Sequence, residues 1–235
     1  MRIVPLIAAL GLLSRLAFAE DITVSAGKSQ PAIKLLNDGV AYENKGDYIN
    51  ARKNFDEAIH VDPTMWPAYF NRATLDAKEH KFRQGLQDAT LALQGKTSFN
   101  RSAVLRALIN AKMGNYSAAF RELDQVVSLG PRGDAYPQAL NGLAWLHATS
   151  REPGYRNARL AIAQAMQSCS LTSYKKAGLI DTLAAAYAEA GDFDAAVRFE
   201  QKAIALGESP DAMEDLQKHL ASFRQHRPWR ETATN

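Results

Sequence analysis

The sequence contains a single cysteine, Cys169, and only a small excess of positive charge. A lone cysteine cannot form an internal disulfide, so the fold does not depend on one. We interpret Cys169, which lies in a helical stretch rich in small residues, as a buried apolar side chain. A disulfide to a partner or a reactive thiol is the alternative.

The chain has 28 Lys and Arg against 25 Asp and Glu, and this near balance gives no indication of nucleic acid or an anionic membrane as a partner.

Motifs of catalysis and metal binding are also missing. The five histidines form no HExxH and have no spacing that would place two ligands on one helix face, and there is no CxxC. The sequence has no GxSxG, P-loop or GxGxxG. The acidic residues fall mostly on predicted helix surfaces, where a solvated charge is the usual role. We therefore predict no enzyme activity, no cofactor and no metal site. An unrecognised envelope hydrolase stays as an alternative, and it would require a nucleophile in contact with a base.

The one long hydrophobic run is at the N-terminus, from residue 3 to residue 13. Arg2 precedes it, and Ala17-Phe18-Ala19 follows it as a small-x-small cleavage site. This pattern predicts a signal peptide over residues 1–19, cleaved after Ala19, and an exported mature chain with no transmembrane span. The run is too short to cross a bilayer. An interfacial or uncleaved anchor is the alternative, whereas a lipid anchor would need a cysteine where Glu20 stands.

The rest of the chain repeats itself. Residues 39–58 (GVAYENKGDYINARKNFDEA) and 184–203 (AAAYAEAGDFDAAVRFEQKA) carry small residues, Gly-Asp and an aromatic at the same offsets. In a 34-residue unit, small residues recur at places 8, 20 and 27, a turn glycine at place 15 and an aromatic at place 17. The predicted units lie near 32–65, 66–99, 100–133, 137–172 and 177–210.

Each unit has two runs of apolar residues at helical spacing, which predict a hairpin of two helices, A and B, and an all-α fold. Gly46 suits the left-handed residue that ends helix A, and Asp47 can cap helix B. The small residues at places 8, 20 and 27 let the two helices approach closely. The duplicated segments are therefore two copies of one packing arrangement and are not an active site.

This pattern resembles the tetratricopeptide repeat family over nearly all of the mature chain. The resemblance implies a right-handed α-solenoid of about five helix-turn-helix units, with a concave surface lined by the A helices. The fourth unit has a long turn, residues 149–157, that resembles a variant common among bacterial members. Before the repeats we expect a flexible lead over residues 20–31. After them we expect a capping helix and tail over 211–235, whose Met213, Leu216, Leu220 and Phe223 form one apolar stripe. We expect the basic segment that follows, RQHRPWRE, to pack its aromatic against the last repeat.

The resemblance also implies which side chains face the concave surface, namely those at places 2, 5, 6, 9, 12 and 13. The predicted partner-binding residues are Asn37, Asn44, Asn71, Lys78, Arg101, Lys112, Asn141 and Trp145. Asparagines can pair with a peptide backbone, the cations favour an acidic segment, and the indole offers an apolar face. Further along the chain, Asp181 and Glu189 would place negative charge on the same surface. Leu36, Val40 and Leu105 stand where family members that clamp chaperone tails need basic residues and Asn, which argues against that ligand.

We therefore predict a non-enzymatic interaction module or scaffold of the cell envelope, in the periplasm of a Gram-negative bacterium. It would bind a peptide or partner protein in the concave groove, with no nucleic acid. The alternative is an assembly or secretion accessory factor that docks by its convex face or by the 149–157 turn. The sequence does not name the partner or the oligomeric state.

Overall fold

The computed structural model describes residues 30–95, 99–131, 135–207 and 210–231. Over those ranges the chain forms eleven α-helices and a 3-10 helix at Pro153–Tyr155, and no β-strand. In chain order the α-helices are α1 (Gln30–Asn44), α2 (Tyr48–Val61), α3 (Trp66–Lys78), α4 (Phe82–Ala92), α5 (Phe99–Lys112), α6 (Tyr116–Ser128), α7 (Ala135–Thr149), α8 (Ala158–Leu171), α9 (Ala177–Glu189), α10 (Phe193–Leu206) and α11 (Pro210–Arg224). The predicted all-α fold of helix-turn-helix units is confirmed.

The helices pack as antiparallel neighbours along the chain: α1 on α2, α3 on α4, α7 on α8 and α9 on α10. Two compact units can be distinguished, and their described parts are residues 30–109 and 110–231, with the division inside α5. In the first unit, α3 also packs on α2. In the second, α9 contacts α7, α8 and α11.

The turns between paired helices use the expected chemistry. Gly46 has φ +78° and Gly191 has φ +83°, in the left-handed region that glycine adopts without strain. The Asp47 carboxylate accepts a hydrogen bond from the Asn50 amide, and that of Asp192 accepts one from Ala195. These glycine stops and aspartate caps are confirmed. In the second repeat, residues 66–99, His80 stands at the position of the turn glycine and adopts φ +61°.

Small residues bring the paired helices together in residues 30–109. A Cβ atom added to Gly39 of α1 would lie 2.6 Å from Cε1 of Phe55 on α2. Ala51 and Ala58 are fully buried in the same cluster as Phe55. Because the Phe55 ring lies directly over the glycine, α1 and α2 approach more closely than a larger residue would allow.

In the fourth repeat, an aromatic residue of the long turn makes the contact that the first residue of helix B makes in other repeats. The 3-10 helix places Tyr155 three residues before α8, where the other B helices begin with their aromatic. The Tyr155 ring stacks on Phe120 with centroids 5.5 Å apart, and its hydroxyl lies 2.6 Å from Ser117 Oγ. Ala158, predicted at a close-contact position, begins α8 and is only half-buried. The inserted residues therefore move the aromatic contact into the turn.

Helix α11 packs on α10 and α9. Leu216, Leu220 and Phe223 of the predicted apolar stripe are buried, and Met213 is half-buried. None of the helices that the structure describes combines the length and the apolar character needed to cross a membrane. The predicted signal peptide lies outside the described residues, as does most of the predicted lead, whose last two residues begin α1.

We expect Gly39→Ala to lower the free energy of unfolding by about 1–3 kcal/mol, because the new methyl group overpacks the contact with Phe55. Ala41→Gly, at an exposed position of α1, is the matched control. There the intrinsic preference for alanine over glycine in a helix, about 1 kcal/mol, has no packing to oppose it. Urea denaturation followed by circular dichroism measures both. A Gly39→Ala protein as stable as the parent would contradict the close contact.

Candidate functional site

The predicted partner-binding residues of the first compact unit differ in exposure. Asn37 and Asn44 are exposed on α1, and Arg101 is half-buried on α5. Asn71 of α3 is 2% exposed, and its Nδ2 has no hydrogen-bond partner among the described residues. A buried amide without a partner is costly and rare in folded proteins. Of these four side chains, Asn71 is therefore the one with a buried donor that lacks an acceptor.

Lys78, predicted to attract an acidic segment, is engaged within the chain. Its Nζ lies 2.6 Å from Oε1 of Glu43 on α1, and both side chains are nearly buried. The ammonium also lies 5.6 Å from the centre of the Tyr48 ring. A partially desolvated pair of this kind is held more firmly than one on an open surface. Lys78 thus joins the first repeat to the second.

In residues 110–231, Lys112 and Trp145 converge on one carboxylate. Lys112 Nζ lies 2.5 Å from Oε2 of Glu231, and Trp145 Nε1 donates to Oε1 of the same residue at 2.6 Å. The side chains of Lys112 and Glu231 are 10% and 8% exposed. Two residues predicted to bind a partner therefore hold an acidic side chain of the segment that follows α11.

That segment makes four further contacts. The Glu231 amide donates to the Thr149 carbonyl at 3.0 Å, and Arg230 donates to the Ala148 carbonyl at 3.1 Å. Arg230 also forms an ion pair of 2.5 Å with Glu189 of α9. The Trp229 ring meets His219 of α11 edge-on, with centroids 4.4 Å apart. We call the surface that these residues contact the tail site; its members are Lys112, Trp145, Ala148, Thr149, Glu189 and His219.

Asn141 lies one helical turn before Trp145 on α7, on the same face. It is 2% exposed, and its Oδ1 has no hydrogen-bond partner. Gln138, on the preceding turn, likewise has a buried Oε1 without a partner. The face of α7 that carries Trp145 therefore continues into polar groups to which the part of the chain that the structure describes supplies no hydrogen bond.

Behind the tail site lies a buried group of titratable side chains. One ligand-type atom from each of Asp181, Glu200 and His219 lies within 4.8 Å of the other two, and His219 Nδ1 is 2.7 Å from Asp181 Oδ1. Burial, followed by the charge of Asp181, raises the pKa of Glu200 well above its usual range. Two carboxyls and an imidazole are ligand types that transition metals accept. Here one ring nitrogen already engages Asp181, and burial opposes the ionised form of Glu200.

The expectation that acidic residues lie on solvated helix surfaces is wrong for several of them, of which only Asp181 was predicted to face the concave surface. Asp76, Asp88, Asp181, Glu200 and Asp215 are buried in the structure. Glu200 carried a detectable signal: it occupies place 24 of its unit, where the first repeat has Phe55 and the third has Leu123. A charged residue at a core position of a repeat indicates a buried polar cluster. Glu231 carried no such signal, because it lies outside the repeat period.

Cys169 is confirmed as a buried side chain. Its thiol donates to the Leu179 carbonyl at 3.3 Å, and burial raises its pKa to about 12. A thiol with this pKa is not deprotonated near neutral pH and is a poor nucleophile.

Comparison with known proteins identifies the repeat. A family model described as tetratricopeptide repeat matches residues 35–65, which span most of α1 and all of α2. The first hairpin is thus similar to a tetratricopeptide repeat. The resemblance noted in the sequence is confirmed for this unit by the model, and the fold of the chain is confirmed by its similarity to solved structures.

Two solved structures and one curated relative illustrate the likeness. The Cut9–Hcn1 structure of the APC/C is similar with a TM-score of 0.70 at 20% identity, over 92% of this chain and 39% of that one. TTC0263, a tetratricopeptide repeat protein of Thermus thermophilus, has a TM-score of 0.65 at 18% identity, over 83% and 99%. The STIP1 homolog of Dictyostelium discoideum is 26% identical over 58% of this chain and 24% of its own length. The chain spans between 18% and 28% of the curated relatives it matches.

The pH dependence of stability tests the buried carboxyls. Burial, opposed by Lys218 and His219, raises the pKa of Asp215 from 3.8 to about 6. The folded state then binds this proton more tightly than the unfolded state does. The protonated Asp215 carboxyl therefore contributes to the free energy of unfolding below about pH 4, and this contribution is lost as pH rises towards 6. We expect Asp215→Asn to raise the melting temperature at pH 7–8 by a few degrees, and to have little effect at pH 4.

Asp194→Asn, at an exposed position of α10, is the control. Differential scanning fluorimetry across pH 4–8 measures both variants. If Asp215→Asn lowered the melting temperature equally at every pH, the carboxyl would be a needed ionic partner of Lys218, and its protonation would not govern stability.

Proposed function

We propose that this chain is a non-enzymatic protein–protein interaction module of the cell envelope, which binds a peptide or partner protein along its A helices. A tetratricopeptide-type fold is an interaction scaffold, and its stacked A helices provide an extended binding surface. The observation that carries the proposal is the way Lys112 and Trp145 hold the Glu231 carboxylate while the α7 backbone pairs with the segment beside it. An A-helix face that binds one segment in this way has the chemistry to bind another.

Polar side chains of the first compact unit, residues 30–109, support the same role. Asn71 presents a buried donor without a partner among the described residues, and Arg101 places a positive charge on the next A helix, α5. An extended segment could accept from the amide through a backbone carbonyl and present an acidic side chain to Arg101. Such contacts give specificity because a wrong ligand leaves the buried amide unpaired.

We expect the double substitution Asn71→Ala and Arg101→Ala to reduce recovery of the partner at least tenfold in a cross-linked pulldown from envelope fractions. The physical reason is the loss of one buried amide and one charge-assisted contact, each worth about 1 kcal/mol or more. Lys53→Ala, exposed on the B helix α2, is the matched control. Unchanged recovery by the double variant, with its fold intact, would refute the proposed face.

The alternative that the long turn docks a partner has a separate test. Tyr155 and Arg156 of that turn are held by internal contacts, to Phe120 and to Glu189 respectively, whereas residues 151–154 are exposed. Deleting the turn would unpack Tyr155, so Arg151→Ala with Glu152→Ala is the cleaner probe. Loss of the partner in this variant alone would favour docking through the turn.

The envelope location rests on the predicted signal peptide. When the full chain is expressed in a Gram-negative host, we expect the mature protein in the periplasmic fraction to begin at Glu20, because signal peptidase cleaves after Ala17-Phe18-Ala19. Intact-mass spectrometry of that fraction measures the N-terminus. The variant Ala19→Arg, which places a charge at the cleavage position, should remain uncleaved. A full-length, cytosolic product from the parent chain would refute export.

A further inference from the structure

We propose that the tail site selects an extended segment with an aromatic, a basic and an acidic residue in succession, and that the chain's own Trp229-Arg230-Glu231 occupies the site until a partner segment of this chemistry displaces it. This inference rests on the proposed function and specifies the ligand class and the regulation of the same face.

The site has one feature for each of the three residues. His219 offers a ring to the aromatic, at 4.4 Å between centroids. Glu189 pairs with the basic residue at 2.5 Å. Lys112 and Trp145 enclose the acidic one at 2.5 and 2.6 Å. The ring lies on α11, the carboxylate on α9, and the ammonium and the indole on α5 and α7. The fold therefore fixes the order of residues in the ligand.

The acidic position contributes the most selectivity. The Lys112 side chain is 10% exposed, and Trp145 is 3% exposed. Without a carboxylate between them, a largely buried ammonium would lose its close negative charge and a buried indole N–H its acceptor. Taking a close counter-charge away from a largely buried ion is unfavourable, so the site favours an occupant with a negative side chain. A glutamine offers the same hydrogen-bond acceptor without the charge and is a weaker ligand.

Backbone contacts make the site a receptor for extended peptide. The Glu231 amide donates to Thr149, and Arg230 reaches the Ala148 carbonyl. These carbonyls belong to the last turn of α7, where no further helical amide is available to them. The donor to Thr149 is a backbone amide, which a peptide of any sequence can supply, whereas the donor to Ala148 is the Arg230 guanidinium and requires a basic residue at that position.

The segment reaches the site by a short turn. His226 has φ +54°, and its amide donates to the Phe223 carbonyl near the end of α11. Ser222 then fixes the reversed chain, since its hydroxyl donates to the Arg227 carbonyl at 2.9 Å. A tether of so few residues gives the occupant an effective concentration in the millimolar range. A partner segment competes with this tethered occupant, so it must have a higher affinity for the tail site than an unoccupied site would require. Weak ligands are therefore excluded.

The test uses the full chain and a fluorescent peptide, QHRPWRE, with a blocked C-terminus so that Glu supplies its only carboxylate. Glu231→Gln weakens the internal occupant. We expect this variant to bind the peptide at least tenfold more tightly than the parent chain does, by fluorescence anisotropy. The peptide QHRPWRQ should bind the variant at least tenfold more weakly. Glu152→Gln, in the exposed part of the 149–157 turn, is the matched acidic control and should behave as the parent.

The double variant Glu231→Gln with Lys112→Ala should lose the peptide while keeping its helical circular dichroism. Equal binding by the parent and Glu231→Gln, or binding that survives the loss of Lys112, would overturn the proposal. Hydrogen exchange gives a reading that does not depend on any substitution. In the parent chain, excess QHRPWRE should raise exchange at residues 229–231, and QHRPWRQ should not. Unchanged exchange under saturating peptide would also overturn it.

The outcomes separate this inference from the proposed function. If parent and Glu231→Gln recover the same partner equally while neither responds to the peptide, the interaction role stands and displacement of the tail is refuted. If peptide binding follows the expected order but the variants of the A-helix face recover the partner unchanged, the tail site stands and the proposed function is refuted. A parent chain that dimerises through its tail, seen as a concentration-dependent mass, would assign the site to a second copy and overturn displacement by a partner.

Discussion

Close contact between the two helices of a hairpin is the constraint on which the rest of the structure depends. Gly39 lies under the Phe55 ring at a distance that excludes even a methyl group, and alanines are fully buried at the equivalent positions of later repeats, such as Ala73 and Ala184. Because small residues occupy one side of each A helix, larger and more polar side chains can be placed on another. The separation of these two sides leaves a polar face on the A helices for the binding that we propose.

The polar side of the A helices is unusual in how much charge it buries. Lys78 with Glu43, and Lys112 with Glu231, are pairs in which both side chains are at most 12% exposed. Pairs of this kind add little to net stability, because the desolvation of two ions offsets most of their attraction. Removing either partner leaves the other in a poorly solvated site without that attraction. The selectivity that we propose for this surface rests on that effect.

The tail site and the buried acidic group behind it are connected through His219. This side chain contacts Asp181 on one side and the Trp229 ring on the other. Glu200 and Asp215, whose pKa values are raised by burial, lie in the same part of the molecule. The position of α11 is thus set by polar contacts as well as by Leu216 and Phe223, and the segment after it is held by α5, α7 and α9. Capping the last repeat and occupying its A-helix face are tasks of one continuous stretch of chain.

The sequence by itself determined the repeat, the helix pairs and their turns, because these depend on residues close together in the chain: Gly46 before Asp47, or Ala51 seven residues before Ala58. It also predicted that Lys112 and Trp145 share one side of the A helices, through the position of each in its repeat. Only the tertiary structure decided that Glu231, 86 residues beyond Trp145, lies between them, and that Asp181, Glu200 and His219 meet. Contacts of this range follow from how successive helices stack and where the chain turns back after α11. No local pattern of residues encodes those two outcomes.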